Sequence, residues 1–387
     1  MDRFDVIVVG AGSIGVPTAL ALAEAGLRPL VLDAAASLGQ GAHKAAIGGV
    51  RATHGDAAKV RIALEGLATF REWHALYGDD IEWVTSGYCF VAYRKQERTM
   101  LQRLVERQRM VGLDVAWYGA QALLERVPAL LRDGLLGGTL SPGDGHCSTL
   151  KAGHAMAAAA RRAGATFRFG ERVLELTRRG KAISGVRTDR GSYAAPFVVN
   201  AAGAAAARVA ASVGERLAIV SELHEAGITE AVAPFLAPLV VDVRPGPGSA
   251  NVYCYQTQSG QVIFCLTPDP PILADGEPSD HGETSAFLPQ AARRLTALIP
   301  RLGDARVRRT WRGVYPMTPD GSPLLGASRH LDGLVHAAGM CGQGFMLGPG
   351  VGTLVARLVR GELRDQDHDT LEAWSPERDF QQSEALR

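Results

Sequence analysis

Cysteine is scarce in this 387-residue chain. Cys89, Cys147, Cys254, Cys265 and Cys341 are scattered, odd in number and form no C-x-x-C pair. That argues against a disulfide framework and a zinc site, and for a reducing compartment. Net charge is equally small: 41 basic residues against 40 acidic ones leave +1, so nothing drives the chain as a whole toward nucleic acid or an anionic membrane. Long apolar runs are missing. The first, Val6 to Val9, ends at Gly10 and is too short for a signal-peptide core or a membrane span. No transmembrane segment and a cytoplasmic location are expected. There is also no clear repeat and no low-complexity tail.

What is present is the composition of a globular protein, 47% hydrophobic and 21% charged. The length suits two domains or one large one. Residues 4–10 read as a buried strand, 13–25 as a helix rich in small residues, and 27–33 as the next strand. This is a β-α-β unit, which predicts a parallel sheet with a right-handed crossover. Helices are expected at 57–77, 95–112, 149–163, 284–299 and about 350–360, and a hairpin at 81–93. Short strands are expected near 165–169, 172–177, 182–188, 192–194, 197–203, 305–316 and 334–338. Extended segments at 217–230, 250–257 and 261–267 suggest an antiparallel sheet, interrupted by a Pro/Gly/Asp-rich loop at 267–283 that reads as mobile. A Gly-rich loop is expected at 339–350. The layout is interleaved: 1–80, 145–215 and 320–387 form a nucleotide-binding domain, and 81–144 with 216–319 form a substrate domain. The fold class is therefore α/β and α+β, a Rossmann-type domain interleaved with a mainly antiparallel sheet.

Gly10, Gly12 and Gly15 form G-x-G-x-x-G between the first strand and the first helix. In that motif the first glycine makes the turn, the second lets a pyrophosphate approach the backbone, and the third lets helix pack on strand. The pyrophosphate then meets free N–H groups at the helix N-terminus, around Ser13 and Ile14. Asp33 ends the second strand, where an acid accepts hydrogen bonds from ribose hydroxyls. This stretch alone leaves NAD and FAD both open. The far end favours FAD. In "HAAGMCGQGFMLGPGVG" (336–352) a second Gly-rich turn precedes a second helix, and a helix N-terminus stabilises the negative charge of a reduced flavin ring.

GAGSIG (10–15), GGVRATHGD (48–56), NAAGAAA (200–206), HEAGITEAVAPF (224–235), RGVYPMTPDGSPLLG (312–326) and AAGMCGQGFMLGPGVG (337–352) span nearly the whole chain. On these segments it resembles the FAD-dependent amine and amino-acid oxidoreductases of the D-amino-acid oxidase superfamily. The nearest branch holds glycine and sarcosine oxidases and the β-type subunits of sarcosine oxidase and L-proline dehydrogenase. The resemblance implies FAD, a sheet roofing the flavin, and hydride transfer from a C–H beside the substrate nitrogen to flavin N5, giving an imine. The implied cofactor contacts are Gly10, Gly12, Ser13, Ile14, Gly15, Asp33 and Ala34 at one end. His43, Lys44, Ala45, Val173, Ala201, Ala202, Gly203 and Gly313 lie between. Met340, Gly342, Gln343, Gly344, Phe345 and Met346 complete the set.

The substrate side departs from the family. Arg51 matches an arginine that binds the substrate carboxylate, a task suited to its fork of donors. Where glycine and D-amino-acid oxidases carry a second clamping arginine, this chain has Tyr315. Arg312, three residues earlier, faces the other side of a strand. Where monomeric sarcosine oxidases carry a lysine after "G-F", it has Met346. Either Arg51 works with the hydroxyls of Tyr253, Tyr255 and Tyr315, or the substrate is no simple amino acid. Cysteine is absent from 306–326, so the covalent cysteine link of monomeric sarcosine oxidases cannot form; non-covalent FAD is expected, with a covalent bond through His43 as the disfavoured alternative. His43 and Lys44 are candidates to contact the flavin ring or assist oxygen. The strand 261–268 lacks the oxygen-activating lysine of those oxidases, which leans toward a dehydrogenase with another electron acceptor, unless Lys44 serves. His224 and Glu225, read as preceding a roof strand, are assigned structural hydrogen bonds. The expected donor is a small-molecule amine or amino acid such as sarcosine, proline, glycine or an opine-like acid. A 2-hydroxy acid, with His43 or His54 as base, is the alternative. So is a β-type subunit requiring a partner chain.

Overall fold

In the computed structural model, residues 4–274, 282–380 and 384–386 are described. Along the chain the first elements are β1 (Val6–Val9), α1 (Gly15–Glu24), β2 (Pro29–Asp33), β3 (Gly49–Val50), α2 (Ala57–Tyr77), β4 (Tyr88–Ala92) and α3 (Lys95–Met110). Next come β5 (Ala116–Gly119), α4 (Ala120–Arg126), β6 (Gly137–Ser141), β7 (Gly145–His146), α5 (Thr149–Arg162) and β8 (Thr166–Phe169). These are followed by β9 (Val173–Arg179), β10 (Ala182–Thr188), β11 (Ser192–Ala194), β12 (Phe197–Asn200) and α6 (Ala206–Ala211). The remainder comprises β13 (Val220–Thr229), β14 (Leu239–Asp242), β15 (Ser249–Gln256), β16 (Val262–Pro268), α7 (Phe287–Leu298), β17 (Val307–Met317), β18 (Leu324–Ala327), β19 (Leu334–Ala338), α8 (Gly344–Arg360) and α9 (Asp365–Ala373).

Two large sheets organise these elements. The first runs β18-β19-β12-β1-β2-β8, parallel except for the β18–β19 pair. Its central strand, VIVV, is buried at every position, as a strand covered on both faces must be. The second sheet runs β17-β13-β16-β15-β14-β4-β6-β5, antiparallel except where β14 meets β4. Strands β9–β11 form a small third sheet, and β3 pairs with β7. Among the described residues, no helix is long and apolar enough to cross a membrane. All five cysteines are free and buried.

Three readings change. Residues 81–93 are not a hairpin. Only β4 forms there, and its partners are the distant β6 and β14; Gly87 and the local apolar alternation gave a turn signal without a local partner. Helix α8 begins at Gly344, not near 350. Its glycines are packing surfaces: a side chain at Gly348 would overlap the Ser13 carbonyl, one at Gly350 the Ile62 carbonyl, and one at Gly352 the backbone of Pro17. Close helix approach overrides the weak helix propensity of glycine. Finally, His224 and Glu225 lie within β13, not before it. Residues 275–281 of the expected 267–283 loop, where mobility was expected, lie outside the described residues.

Candidate active site

The opening turn is shaped for a phosphate. Gly10 has φ +108°, and a Cβ there would come 2.5 Å from the Ala201 carbonyl oxygen, so only glycine suits both the dihedral and the space. Nothing lies within 4 Å of the Cβ position of Gly12, which leaves the backbone open to a ligand. A Cβ at Gly15 would overlap the Gly10 carbonyl, so the helix closes directly on the strand. Asp33 ties this together: its carboxylate accepts from Ala11 N–H at 2.7 Å and Ala35 N–H at 2.8 Å. No side chain caps α1, and its leading N–H groups remain for a ligand.

A cavity of about 1220 Å³ opens from this turn, larger than the roughly 300–1,000 Å³ of a single small-molecule site. It has room for a dinucleotide and a substrate. Of the residues expected at the cofactor, Gly10, Gly12, Ser13, Ile14, Asp33, Ala34, His43, Lys44, Ala45, Val173, Ala201, Ala202, Gly203, Gly313, Met340, Gly342, Gln343, Gly344, Phe345 and Met346 line it. Gly15 does not; it acts in packing. The 337–346 segment therefore faces the same space as the opening glycines. Here Gly339, Cys341 and Gly342 all adopt positive φ, and the chain reverses into α8, whose N-terminus also lacks a side-chain cap. Gln343 Oε1 is buried with no hydrogen-bond partner among the described residues, which fits a cofactor amide N–H. A flavin nucleotide thus suits the two uncapped helix ends and the orphaned acceptor.

The roof is set by strand register. Glu222 and His224 of β13 stand opposite Tyr315 and Gly313 of β17, while Ala226 stands opposite Cys265 of β16. Cys265 in turn faces Tyr253 of β15, and Tyr253 faces Val241 of β14. Period-two alternation puts these residues on one face. The opposite face, including Cys89, Val240, Val252, Cys254, Phe264 and Leu266, packs into a separate apolar core. Of β16, the cavity-side positions are Ile263, Cys265 and Thr267, with no lysine. Arg312 stands opposite Glu225, on the other face by register, yet it still reaches the cavity lining, its guanidinium donating to Gly282 O at 3.1 Å.

Tyr315 and Tyr253 meet at the cavity, hydroxyl to hydroxyl at 3.4 Å. Burial raises the pKa of both, so both are neutral donors. The Tyr315 ring stacks on His224 with centroids 3.9 Å apart, and a Cβ at Gly342 would overlap that ring. His224 was assigned structural hydrogen bonds from the sequence. Instead it lines the cavity, its nitrogens make no hydrogen bond among the described residues, and its nearest charge is Glu222 at 3.5 Å. Burial lowers its pKa, against the pull of Glu222. Glu225 does bond structurally, accepting from Thr284 N–H at 2.6 Å and its hydroxyl at 2.8 Å. Glu222, Asn251, Tyr88 and Phe90 also line the cavity and went unread in the sequence. The Glu222–His224 spacing was the signal for the first, but only register shows which face it occupies.

Tyr255 is not at the cavity. It shares a strand face with Tyr253, but two residues further along β15 its hydroxyl donates to Ile47 O and its ring packs against His146, within the cluster of Tyr88, Leu239 and Val241. His43 is buried between Ser13 Oγ on Nδ1 and Thr149 O on Nε2, each at 2.9 Å. The carbonyl requires N–H on Nε2, so Nδ1 accepts from Ser13. Burial lowers its pKa, and neither nitrogen is left for a covalent link to flavin. Lys44 is exposed and reaches the cavity wall. Arg51 is buried at that wall, with its guanidinium carbon 5.7 Å from the Tyr88 ring centre and 5.4 Å from that of Phe90. His54 is fully buried and outside the cavity lining.

Comparison with known proteins agrees with this geometry. Residues 5–358 match the family model described as DAO, FAD dependent oxidoreductase. The glycine oxidase of Geobacillus kaustophilus is 31% identical over 365 residues, covering 92% of this chain and 93% of that protein. An opine oxidase subunit of Rhizobium meliloti is 27% identical over 391 residues, covering 94% and 96%. The crystal structure of L-proline dehydrogenase from P. horikoshii superposes with a TM-score of 0.89 at 27% identity, covering 97% of each chain. The chain belongs to the DAO family of FAD-dependent oxidoreductases, and FAD is its cofactor.

Proposed function

We propose that the protein oxidises a secondary amine or amino acid, with sarcosine, proline, glycine and opine-like N-substituted acids as the class to test, and that it passes the electrons to an acceptor other than oxygen. The observation that carries this reading is the cavity wall: one buried arginine, two neutral tyrosine hydroxyls and no second cation at positions 315 and 346. Bound FAD supplies the hydride acceptor at N5. The chain orients the donor. Arg51 offers a fork to a carboxylate, the Tyr253–Tyr315 pair supplies hydrogen-bond donors, and the roof keeps water from the reacting carbon. Tyr315 and Met346, in place of the family's clamping arginine and lysine, leave space for an N-substituent beside Arg51. The cavity side of β16 carries Ile263, Cys265 and Thr267 with no lysine, which supports a non-oxygen acceptor unless Lys44, which reaches the cavity wall, takes that role. The 2-hydroxy-acid alternative loses its two named bases, since both nitrogens of His43 are engaged and His54 lies off the cavity; His224, at the cavity with unbonded nitrogens, is the base it would need instead.

Anaerobic mixing with N-alkyl amino acids, proline, opines and 2-hydroxy acids is the test. Bleaching of the flavin by amines only, with slow recovery in air, is expected. Bleaching by hydroxy acids alone would overturn the amine reading, and rapid reoxidation in air the acceptor reading. A β-type subunit with a partner chain is the second reading. Val220 and Leu273 are 53% and 58% exposed on backbone-paired segments, where Leu223 N–H donates to Ile272 O and Ala274 N–H to Ser221 O. A flavin-loaded chain that no donor bleaches would favour this second reading.

A further inference from the structure

Residues 384–386 are seated against the loop that carries Arg51. The Glu384 carboxylate is buried. One oxygen accepts from Gly55 N–H at 2.8 Å and Leu386 N–H at 2.9 Å, and the other accepts from Asp56 N–H at 3.2 Å and faces Lys59 Nζ at 3.2 Å. Lys59 is itself wholly buried and donates to Gly321 O at 2.6 Å. Gly55 and Asp56 open the 21-residue α2, so this carboxylate sits at the positive end of a long helix. Burial by itself would raise the Glu384 pKa. Lys59, Arg51 and the amides of Leu386 and Gly55 outweigh that and lower it.

This anchor also places Leu386, two residues on. Leu386 is 3% exposed, packed with Tyr88, Phe90 and Val241, and its carbonyl accepts from Arg51 Nη2 at 2.7 Å. The other amino group of Arg51 donates to Thr53 O and lies 3.2 Å from His54 Nδ1. Among the described residues these bonds are all to neutral acceptors, while the buried carboxylates of Glu384 and Asp144 lie within electrostatic reach of the guanidinium without hydrogen-bonding it. A carbonyl more than 300 residues away in sequence thus fixes the fork at the cavity wall.

We propose that Glu384 is a positioning residue for substrate acid recognition. Its ion pair with Lys59 docks 384–386, the Leu386 carbonyl orients Arg51, and the oriented guanidinium takes the carboxylate of the substrate. The inference rests on the reading of Arg51 as the clamp. It is tested on the FAD-loaded protein by titrating propionate and propionamide while following the visible flavin spectrum. Glu384→Ala is expected to weaken propionate by about tenfold and propionamide by less than about twofold. Unchanged propionate affinity at full flavin content would overturn the role of Glu384. Loss of the buried partner of Lys59 can also cost folding. If Glu384→Ala does not retain FAD, Leu386→Ala takes its place with the same split expected, and an equal or absent effect on both probes overturns the proposal. Arg51→Ala separates the two levels. If it binds propionate as the unaltered protein does, the clamp reading fails and this inference falls with it. If it loses propionate while the Glu384 and Leu386 variants do not, only the inference fails.

Discussion

Gly15→Ala is expected to purify without flavin. The Cβ it introduces would overlap the Gly10 carbonyl oxygen and approach Val8 Cγ1 at 3.3 Å. Backbone cannot yield as a side-chain tip does. The N-terminus of α1 must therefore move off β1, at a cost of about 1–3 kcal/mol or more for an overpacked contact. That movement carries away the N–H groups at Ser13 and Ile14 that would meet the pyrophosphate. FAD affinity should fall by about 100-fold or more, equivalent to about 2.8 kcal/mol. The ratio of visible to ultraviolet absorbance of the purified protein, with circular dichroism as a fold control, reads this directly. A folded, fully yellow Gly15→Ala protein would show that the turn is not the cradle.

Arg51→Ala is the second large effect. The guanidinium is buried against the stacked rings of Tyr88 and Phe90, and two backbone carbonyls bond it. A charge-assisted hydrogen bond contributes roughly 1.5–3 kcal/mol. Loss of the fork should raise KM for acidic amines by about 10- to 100-fold, with KM for the corresponding amides nearly unchanged. Steady-state kinetics on an acid–amide pair decides. Equal losses on both would assign Arg51 to structure alone, consistent with its three internal contacts.

How much of this was legible in the sequence varies with the range of the interaction. Helix α2 was read at its observed limits because its ends are local: Asp56 caps the start by accepting from Ala58 N–H, and Gly78 closes the end at φ +79°. The nucleotide turn was legible for the same reason, since strand, glycines, helix and Asp33 lie within one short stretch. Strand β14 was missed. It is four residues long and is defined by β4 and β15 rather than by its own alternation. The start of α8 was misjudged because its glycines answer to Ser13, Pro17 and Ile62, which local propensity cannot see. At the site, Tyr253 and Tyr315 were named from the sequence, but so was Tyr255, since two tyrosines at alternate positions of one strand share a face and only their neighbours separate them. His224 was given a bonding role that the fold does not realise. Its place beside Tyr315 depends on β13 pairing with β17, nearly a hundred residues on. The docking of 384–386 on the Arg51 loop left no trace in local pattern.

The structure of the FAD-bound protein would test the central claim most directly. The pyrophosphate should lie within hydrogen-bond distance of the Gly12–Ile14 amides, with the isoalloxazine against Gly342–Gly344 and beneath Tyr315. An isoalloxazine bound away from Gly342–Gly344, or a pyrophosphate away from α1, would contradict it.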